Sequence, residues 1–94
     1  MDYFIIISGV YMNQDRLNSI IGKNIKKYRL LYDKEKMTQE KLAELLNVSV
    51  SLISSLESNK TKKGISINNL YKISVILNTP ISKFFEEDNN EWYF

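Results

Sequence analysis

The stretch that decides the fold of this chain is QEKLAELLNVSVSLISSLES, which runs from Gln39 to Ser58. Its apolar residues recur at helical spacing on both sides of a short central break. The pattern predicts two helices, at about 39–46 and 50–57, that meet across a three-residue turn.

The packing of two steeply crossing helices explains the residue types at the key positions. A small residue, Ala43, stands where the second helix would pass over the first. Asn47 tolerates the left-handed backbone that ends a helix, and Ser49 can cap the next one. The remaining apolar positions are the inward faces of both helices and the residue that packs beneath the turn: Leu42, Leu46, Val48, Ile53 and Leu56.

Three more helices are predicted around this pair. The first covers about 14–33. Ser66 can cap the fourth, which ends before Pro80 and carries an apolar stripe drawn from Ile67, Leu70, Ile73, Val75 and Leu77. Thr79 can cap the fifth, with Pro80 as its first residue and Ile81, Phe84 and Phe85 as its apolar residues. We therefore predict an all-α domain of five helices spanning residues 13–88.

The N-terminal extension, residues 1–12, admits two interpretations. Met12 can be the true start, which would make the extension an artefact. Alternatively, Tyr3 to Ile7 has strong strand character and can pair with a partner subunit. The longest apolar run is far shorter than the roughly 20 residues of a membrane helix, and no secretory leader pattern is present. We expect a cytoplasmic protein of a bacterium or its phage.

Composition narrows the classes of function. The 94 residues contain no cysteine and no histidine, so the usual metal ligands and the usual near-neutral acid and base are missing. We expect no enzyme activity, no metal and no cofactor. Residues 13–63 hold eleven Lys or Arg against six Asp or Glu, a balance of +5, whereas residues 64–94 carry a balance of −2. This middle segment suits a DNA-facing surface, although ordinary solvated helix charge explains it equally well.

Four short motifs carry a resemblance to a known family: Ile21-Gly22-Lys23, Thr38-Gln39-Glu40-Lys41-Leu42-Ala43, Val48-Ser49-Val50-Ser51 and Ile53-Ser54-Ser55-Leu56-Glu57. The chain resembles the phage repressor and Cro-type helix-turn-helix family over about residues 19–86. The resemblance implies a five-helix domain that binds double-stranded DNA as a homodimer, with its third helix in the major groove.

The resemblance also implies which residues read bases. Val50, Ser51 and Ser55 match the outward face of the third helix, and Ser54 borders it. Serine hydroxyls can bond either base type, and the Val50 methyls can pack on a thymine methyl. The alternative is an ordinary solvated helix face.

Contacts to phosphate are implied for a second set of residues. Gln39 resembles the family glutamine that fixes a phosphate and braces the recognition helix. The other candidates are Thr38, Ser49, Ser58, Asn59, Lys60, Lys62 and Lys63. The three lysines can instead belong to a solvated loop. Arg29 and Glu57 resemble a family pair that ties the first helix to the third.

One departure from the family concerns the connection between Arg29 and Gln39, which is about three residues longer than usual. We expect either a longer first helix or a bulging loop.

The subunit contact is expected among apolar residues left over once the core is filled: Phe85, Trp92, Tyr93 and Phe94. The last three belong to an aromatic tail at 89–94. We expect a transcriptional regulator, a repressor of a pseudo-palindromic operator. The alternative is a module that keeps the fold but holds a partner protein, as an antitoxin holds its toxin or an anti-repressor its target.

Overall fold

A computed structural model describes residues 5–7, 10–58 and 63–87, with side chains from residue 13 onward. The elements in these ranges are two strands, four α-helices and a final 3-10 helix: β1 (Ile5–Ile7), β2 (Val10–Met12), α1 (Gln14–Leu30), α2 (Gln39–Leu46), α3 (Val50–Glu57), α4 (Ile67–Ile76) and the 3-10 helix (Ile81–Phe85). The expected all-α class is confirmed, with a short hairpin ahead of the helices.

The two strands pair with each other in antiparallel register, with Ile5 opposite Met12 and Ile7 opposite Val10. Strand character at residues 5–7 was predicted, and its hydrogen-bonded partner is the next segment of the same chain. The sequence does carry a signal for this hairpin, because Ser8-Gly9 separates two β-prone apolar segments.

Local capping fixes where the central helices begin. The hydroxyls of Thr38, Ser49 and Ser66 each accept a hydrogen bond from a backbone N–H three residues later, at 3.0 to 3.1 Å. Asn47 ends α2 in the left-handed region, with φ 61° and ψ 48°. The bounds predicted for α2 and α3 are therefore confirmed, because side chains within a few residues determine them.

The prediction for α1 was too long, since the helix ends at Leu30 rather than near residue 33. The following loop contains two residues with positive φ, Asp33 at 51° and Lys36 at 59°. The backbone N–H of Met37 donates to the carbonyl of Arg29 at 3.0 Å, which closes the loop at its base. The extra residues of this connection thus bulge as a loop and do not add a helical turn.

The fifth predicted helix is a 3-10 helix of five residues, and Thr79 is not its cap. The Thr79 hydroxyl donates instead to the carbonyl of Leu77 at 3.0 Å. Pro80 takes the capping position and makes no side-chain hydrogen bond there. Thr79 therefore completes the end of α4 and contributes no cap to the element that follows.

The core collects buried apolar residues from all four helices and the 3-10 helix, and its six largest fully buried side chains are Ile25, Leu42, Ile53, Leu70, Ile73 and Phe84. Among the five residues from which the predicted α4 stripe was drawn, Ile67 and Val75 lie outside the core, since they are 64% and 61% exposed.

A close approach of α1 to α3 organises this core. A Cβ atom built on Gly22 would lie 1.9 Å from the carbonyl oxygen of Leu56. Only glycine allows the two helices to come this near. The position of α3 on the domain therefore depends on the absence of a side chain at residue 22.

The segment after α4 is held against α1 by polar contacts. The buried amide of Asn24 donates to the carbonyls of Phe84 and Glu86, each at 2.8 Å. The Phe84 ring packs edge-on against Tyr28, with 5.4 Å between ring centroids. These contacts place the final 3-10 helix across α1, and an ion pair between Arg16 and Glu87 adds to them near the surface.

Candidate nucleic-acid interface

One face of α3 points away from the core. Ile53 and Leu56 are buried, whereas Val50, Ser51 and Ser54 are exposed. At 100° per residue Ser51 and Ser54 fall on the side of the helix opposite the buried pair, and Val50 lies at the edge of that side. The exposed face therefore begins at the first turn of α3 and carries only short side chains.

The first turn of α3 is ordered by its own serines. The hydroxyl of Ser49 accepts from the backbone N–H of Leu52 at 3.1 Å and also lies 3.1 Å from the hydroxyl of Ser51. Val50 follows this cap and remains 41% exposed. The helix thus presents a hydroxyl and a branched apolar side chain next to each other at its N-terminal end.

Two neighbouring serines in the second turn of α3 differ in their exposure. Ser54 is exposed, whereas Ser55 is half-buried and makes contacts of its own. Ser54 was expected only to border the outward face. In the structure it is more exposed than Ser55.

The opposite end of α3 is fixed by a buried polar network. The Glu57 carboxylate accepts from Nε and Nη2 of Arg29 at 2.7 and 2.8 Å. The Gln39 amide donates to the same carboxylate at 3.0 Å. The side chains of Arg29 and Glu57 are only 8% and 3% exposed. This network joins α1, α2 and α3 at a single carboxylate.

Arg29 makes a further contact that the sequence did not indicate. Its Nη1 donates to the carbonyl of Met37 at 2.8 Å, in addition to the backbone bond between the same two residues. The guanidinium therefore binds the enlarged loop and the end of α3 together. Because the loop leads directly into Thr38 and Gln39, this contact also positions the start of α2.

The residues predicted to contact phosphate lie in different environments. Thr38, Ser49 and Lys63 are exposed, whereas Gln39 and Ser58 are half-buried. Asn59, Lys60 and Lys62 fall outside the described residues. Thr38 and Ser49 are also the caps of α2 and α3, so their hydroxyls already accept a backbone hydrogen bond.

The predicted subunit contact is described only at Phe85. This side chain is 42% exposed beside the buried Phe84. Trp92, Tyr93 and Phe94 lie beyond the last described residue, Glu87.

None of the helices in the described ranges combines the length and the apolar character that a bilayer crossing requires. Nor do these ranges contain a group of three or more His, Cys, Asp or Glu residues that could hold a metal ion.

Sequence reasoning missed several positioning residues, and only one of them has a local signal. Asn13 caps α1 by accepting from the N–H of Arg16 at 2.9 Å, and Asp15 in the first turn is typical of a helix start. Asn24 and Met37 have no such signal, since their partners depend on how distant segments pack.

Comparison with known proteins places this geometry in a family. A family model described as helix-turn-helix matches residues 25–84. Among solved structures, the restriction-modification controller protein C.AhdI from Aeromonas hydrophila is similar in fold, with a TM-score of 0.62 and 20% identity over 72% of this chain and 96% of that one. The hypothetical transcription factor NHTF from Neisseria is also similar, with a TM-score of 0.67 and 16% identity over 87% of this chain and 88% of that one.

No match was found among curated protein sequences. The family model spans most of the chain and covers both helices of the motif, the turn between them, the C-terminal end of α1 and all of α4. The chain therefore belongs to the helix-turn-helix family of the Cro/C1 type, whose members bind double-stranded DNA and commonly dimerise.

Proposed function

We propose that this chain is a cytoplasmic transcriptional repressor that binds a pseudo-palindromic operator as a homodimer, with α3 in the major groove. One such module buries only roughly 600 to 1,000 Å² on DNA, so two half-sites are needed for useful specificity. A second copy supplies the second half-site.

The observation that carries the proposal is the asymmetry of α3. Its inner face is packed and its C-terminal end is held by Arg29 and Gln39, so these contacts fix how the helix lies on the domain. Its outward face exposes Val50, Ser51 and Ser54. Short side chains let a helix approach base edges closely, and a methyl group beside a hydroxyl matches the mixed pattern of the major groove.

The type of base contact follows from the same residues. The α3 sequence, VSLISSLE, contains no Arg, Asn or Gln that could make a bidentate base contact. Serine and valine discriminate less strongly. We therefore propose that part of the specificity comes from the shape of the DNA and from contacts that Lys60, Lys62 and Lys63 make with the DNA backbone.

Alanine at both Ser51 and Ser54 tests the assignment. Fold stability should change by less than about 0.5 kcal/mol, as for other exposed sites. Affinity for an operator selected by the parent should fall by roughly 1 to 3 kcal/mol per affected base pair, while affinity for scrambled DNA stays the same.

The matched control is Ser82→Ala, an exposed serine in the final 3-10 helix. Its operator affinity should equal that of the parent. An equal loss on operator and scrambled DNA in the double variant would assign the serines to contacts with the DNA backbone, and no loss on either would remove Ser51 and Ser54 from the interface.

A further inference from the structure

An apolar row runs along α4 on the surface of the domain. Ile67, Tyr71 and Val75 are 64%, 61% and 61% exposed. Their four-residue spacing puts them on one side of the helix. The buried side of α4 is formed by Leu70 and Ile73 with Leu77 after them, so this row is a second apolar face without a partner among the described residues.

An open groove accompanies the row. It has a volume of about 530 Å³ and lies between the outer side of α4 and the segment that leads into the 3-10 helix. Tyr71 and Val75 line one wall, and Pro80 and Ile81 line the other. A monomeric domain of this size seldom exposes a row and a groove of this kind together unless they bind something.

We propose that this α4 face is where a second copy of the chain binds. The inference rests on the proposed operator-binding homodimer and names its interface. It places the contact on α4, whereas the sequence led us to expect it at Phe85 and the aromatic tail.

The charge of the face favours an identical partner. Ser74 and Asn78, the polar residues beside the row, are uncharged, and Lys72 is the one charged residue of α4. At 100° per residue Lys72 points away from the row by roughly 100° relative to Tyr71. A DNA backbone would require cations here. An uncharged surface can meet its own copy without repulsion between like charges.

Two-fold symmetry identifies the central residue. When the same three-residue row of two copies packs together about a two-fold axis, the middle residue lies nearest that axis. Here the middle residue is Tyr71. Each Tyr71 ring can then enter the groove beside Val75 and Pro80 of the other copy. Aromatic anchors in such pockets dominate the binding energy of most interfaces.

Sedimentation equilibrium of the full chain, without DNA, provides the first test. The parent should dimerise, and Tyr71→Glu should weaken the dimer by roughly tenfold or more because two carboxylates would face each other. The matched control is Leu31→Glu, at a residue that is 65% exposed after α1. Its dimer should be as tight as that of the parent.

A mixing experiment makes the test specific to the symmetry axis. Tyr71→Glu and Tyr71→Lys should each be monomeric, and an equimolar mixture should form a heterodimer. Circular dichroism should show parental helix content for both variants, since residue 71 is exposed. Both should still bind scrambled DNA, with fewer phosphate contacts than the parental dimer makes, so failure of the dimer assignment is distinguished from failure of DNA binding.

Three results would overturn the proposal: a parent that stays monomeric, a Tyr71→Glu variant with the parental dimer constant, or a mixture that remains monomeric. A chain ending at Asp88 discriminates the alternative interface. If that chain loses the dimer while Tyr71→Glu keeps it, the tail forms the contact and the α4 face does not.

Discussion

Arg29 in α1 donates two hydrogen bonds to the carboxylate of Glu57, the last residue of α3, at 2.7 and 2.8 Å. Both side chains are almost completely buried. Since a buried ion pair adds little net stability over apolar packing, its consequence is geometric. It fixes the direction of α3 relative to α1, and through Gln39 and Met37 it fixes the start of α2 as well.

Removing one partner of this pair should be costly. Arg29→Met leaves the Glu57 carboxylate buried with only the Gln39 amide as a donor, and the free energy of unfolding should fall by about 3 to 5 kcal/mol. The double variant Arg29→Met/Glu57→Leu should be more stable than Arg29→Met alone, because the unpaired charge is gone. Urea unfolding of both proteins measures this, and additive losses would contradict the account.

Gly22→Ala should reverse the usual effect of alanine in a helix. Alanine normally stabilises an exposed helical site by about 1 kcal/mol relative to glycine. Here the added methyl would meet the Leu56 carbonyl at 1.9 Å, so we expect a loss of about 1 to 3 kcal/mol. Lys23→Ala, at the exposed neighbouring residue, should change stability by less than about 0.5 kcal/mol. Thermal unfolding compares the two, and a stabilised Gly22→Ala would show that α1 and α3 are further apart.

Asn47 offers a test of the turn. Its φ of 61° is strained for residues with a Cβ, by roughly 1 to 2 kcal/mol, and asparagine tolerates it better than most. Asn47→Gly should therefore leave stability unchanged or raise it by up to about 1 kcal/mol, whereas Asn47→Ile should lower it. Glycine at the exposed Glu44, inside α2, should lower it by about 0.5 to 1 kcal/mol. Equal losses for glycine at residues 44 and 47 in denaturant titrations would exclude a left-handed cap.

The basic loop can be tested through salt dependence. Lys63→Ala should reduce the magnitude of the slope of log K against log salt by about 0.9, the effect of one phosphate contact, and alanine at Lys60, Lys62 and Lys63 together by up to three times as much. Lys72→Ala, another exposed lysine, should leave the slope unchanged. Fluorescence anisotropy with operator DNA at several salt concentrations gives these slopes. A triple variant with the parental slope would remove the loop from the interface.

The parts of the fold that sequence predicted are those set by neighbouring residues. Thr38, Ser49 and Ser66 cap helices through bonds spanning three residues, and Asn47 ends α2 through its own backbone preference. These signals are local and additive, so they can be found without knowing how the chain packs. The pairing of Arg29 with Glu57 was anticipated only through the family resemblance.

The features that were missed or misplaced depend on tertiary packing. The Asn24 amide binds carbonyls about 60 residues away, and no pattern around Asn24 signals this. Apolar spacing did not separate Ile67 and Val75, which are exposed, from the buried residues of α4, because periodicity shows that a face is apolar without showing what covers it. The hydroxyl of Thr79 could either cap the fifth helix or bind the end of α4, and in the structure it donates to the carbonyl of Leu77 at the end of α4.

The central claim is that α3 reads a two-fold symmetric DNA sequence, and selection of bound sites from random DNA tests it most directly. The account predicts enrichment of two related half-sites whose centres lie about 10 base pairs apart, or a multiple of that spacing. The parent should also bind the selected sequence at least roughly a thousandfold more tightly than scrambled DNA at physiological salt. Selection that enriches no motif, with equal affinity for operator and scrambled DNA, would contradict it.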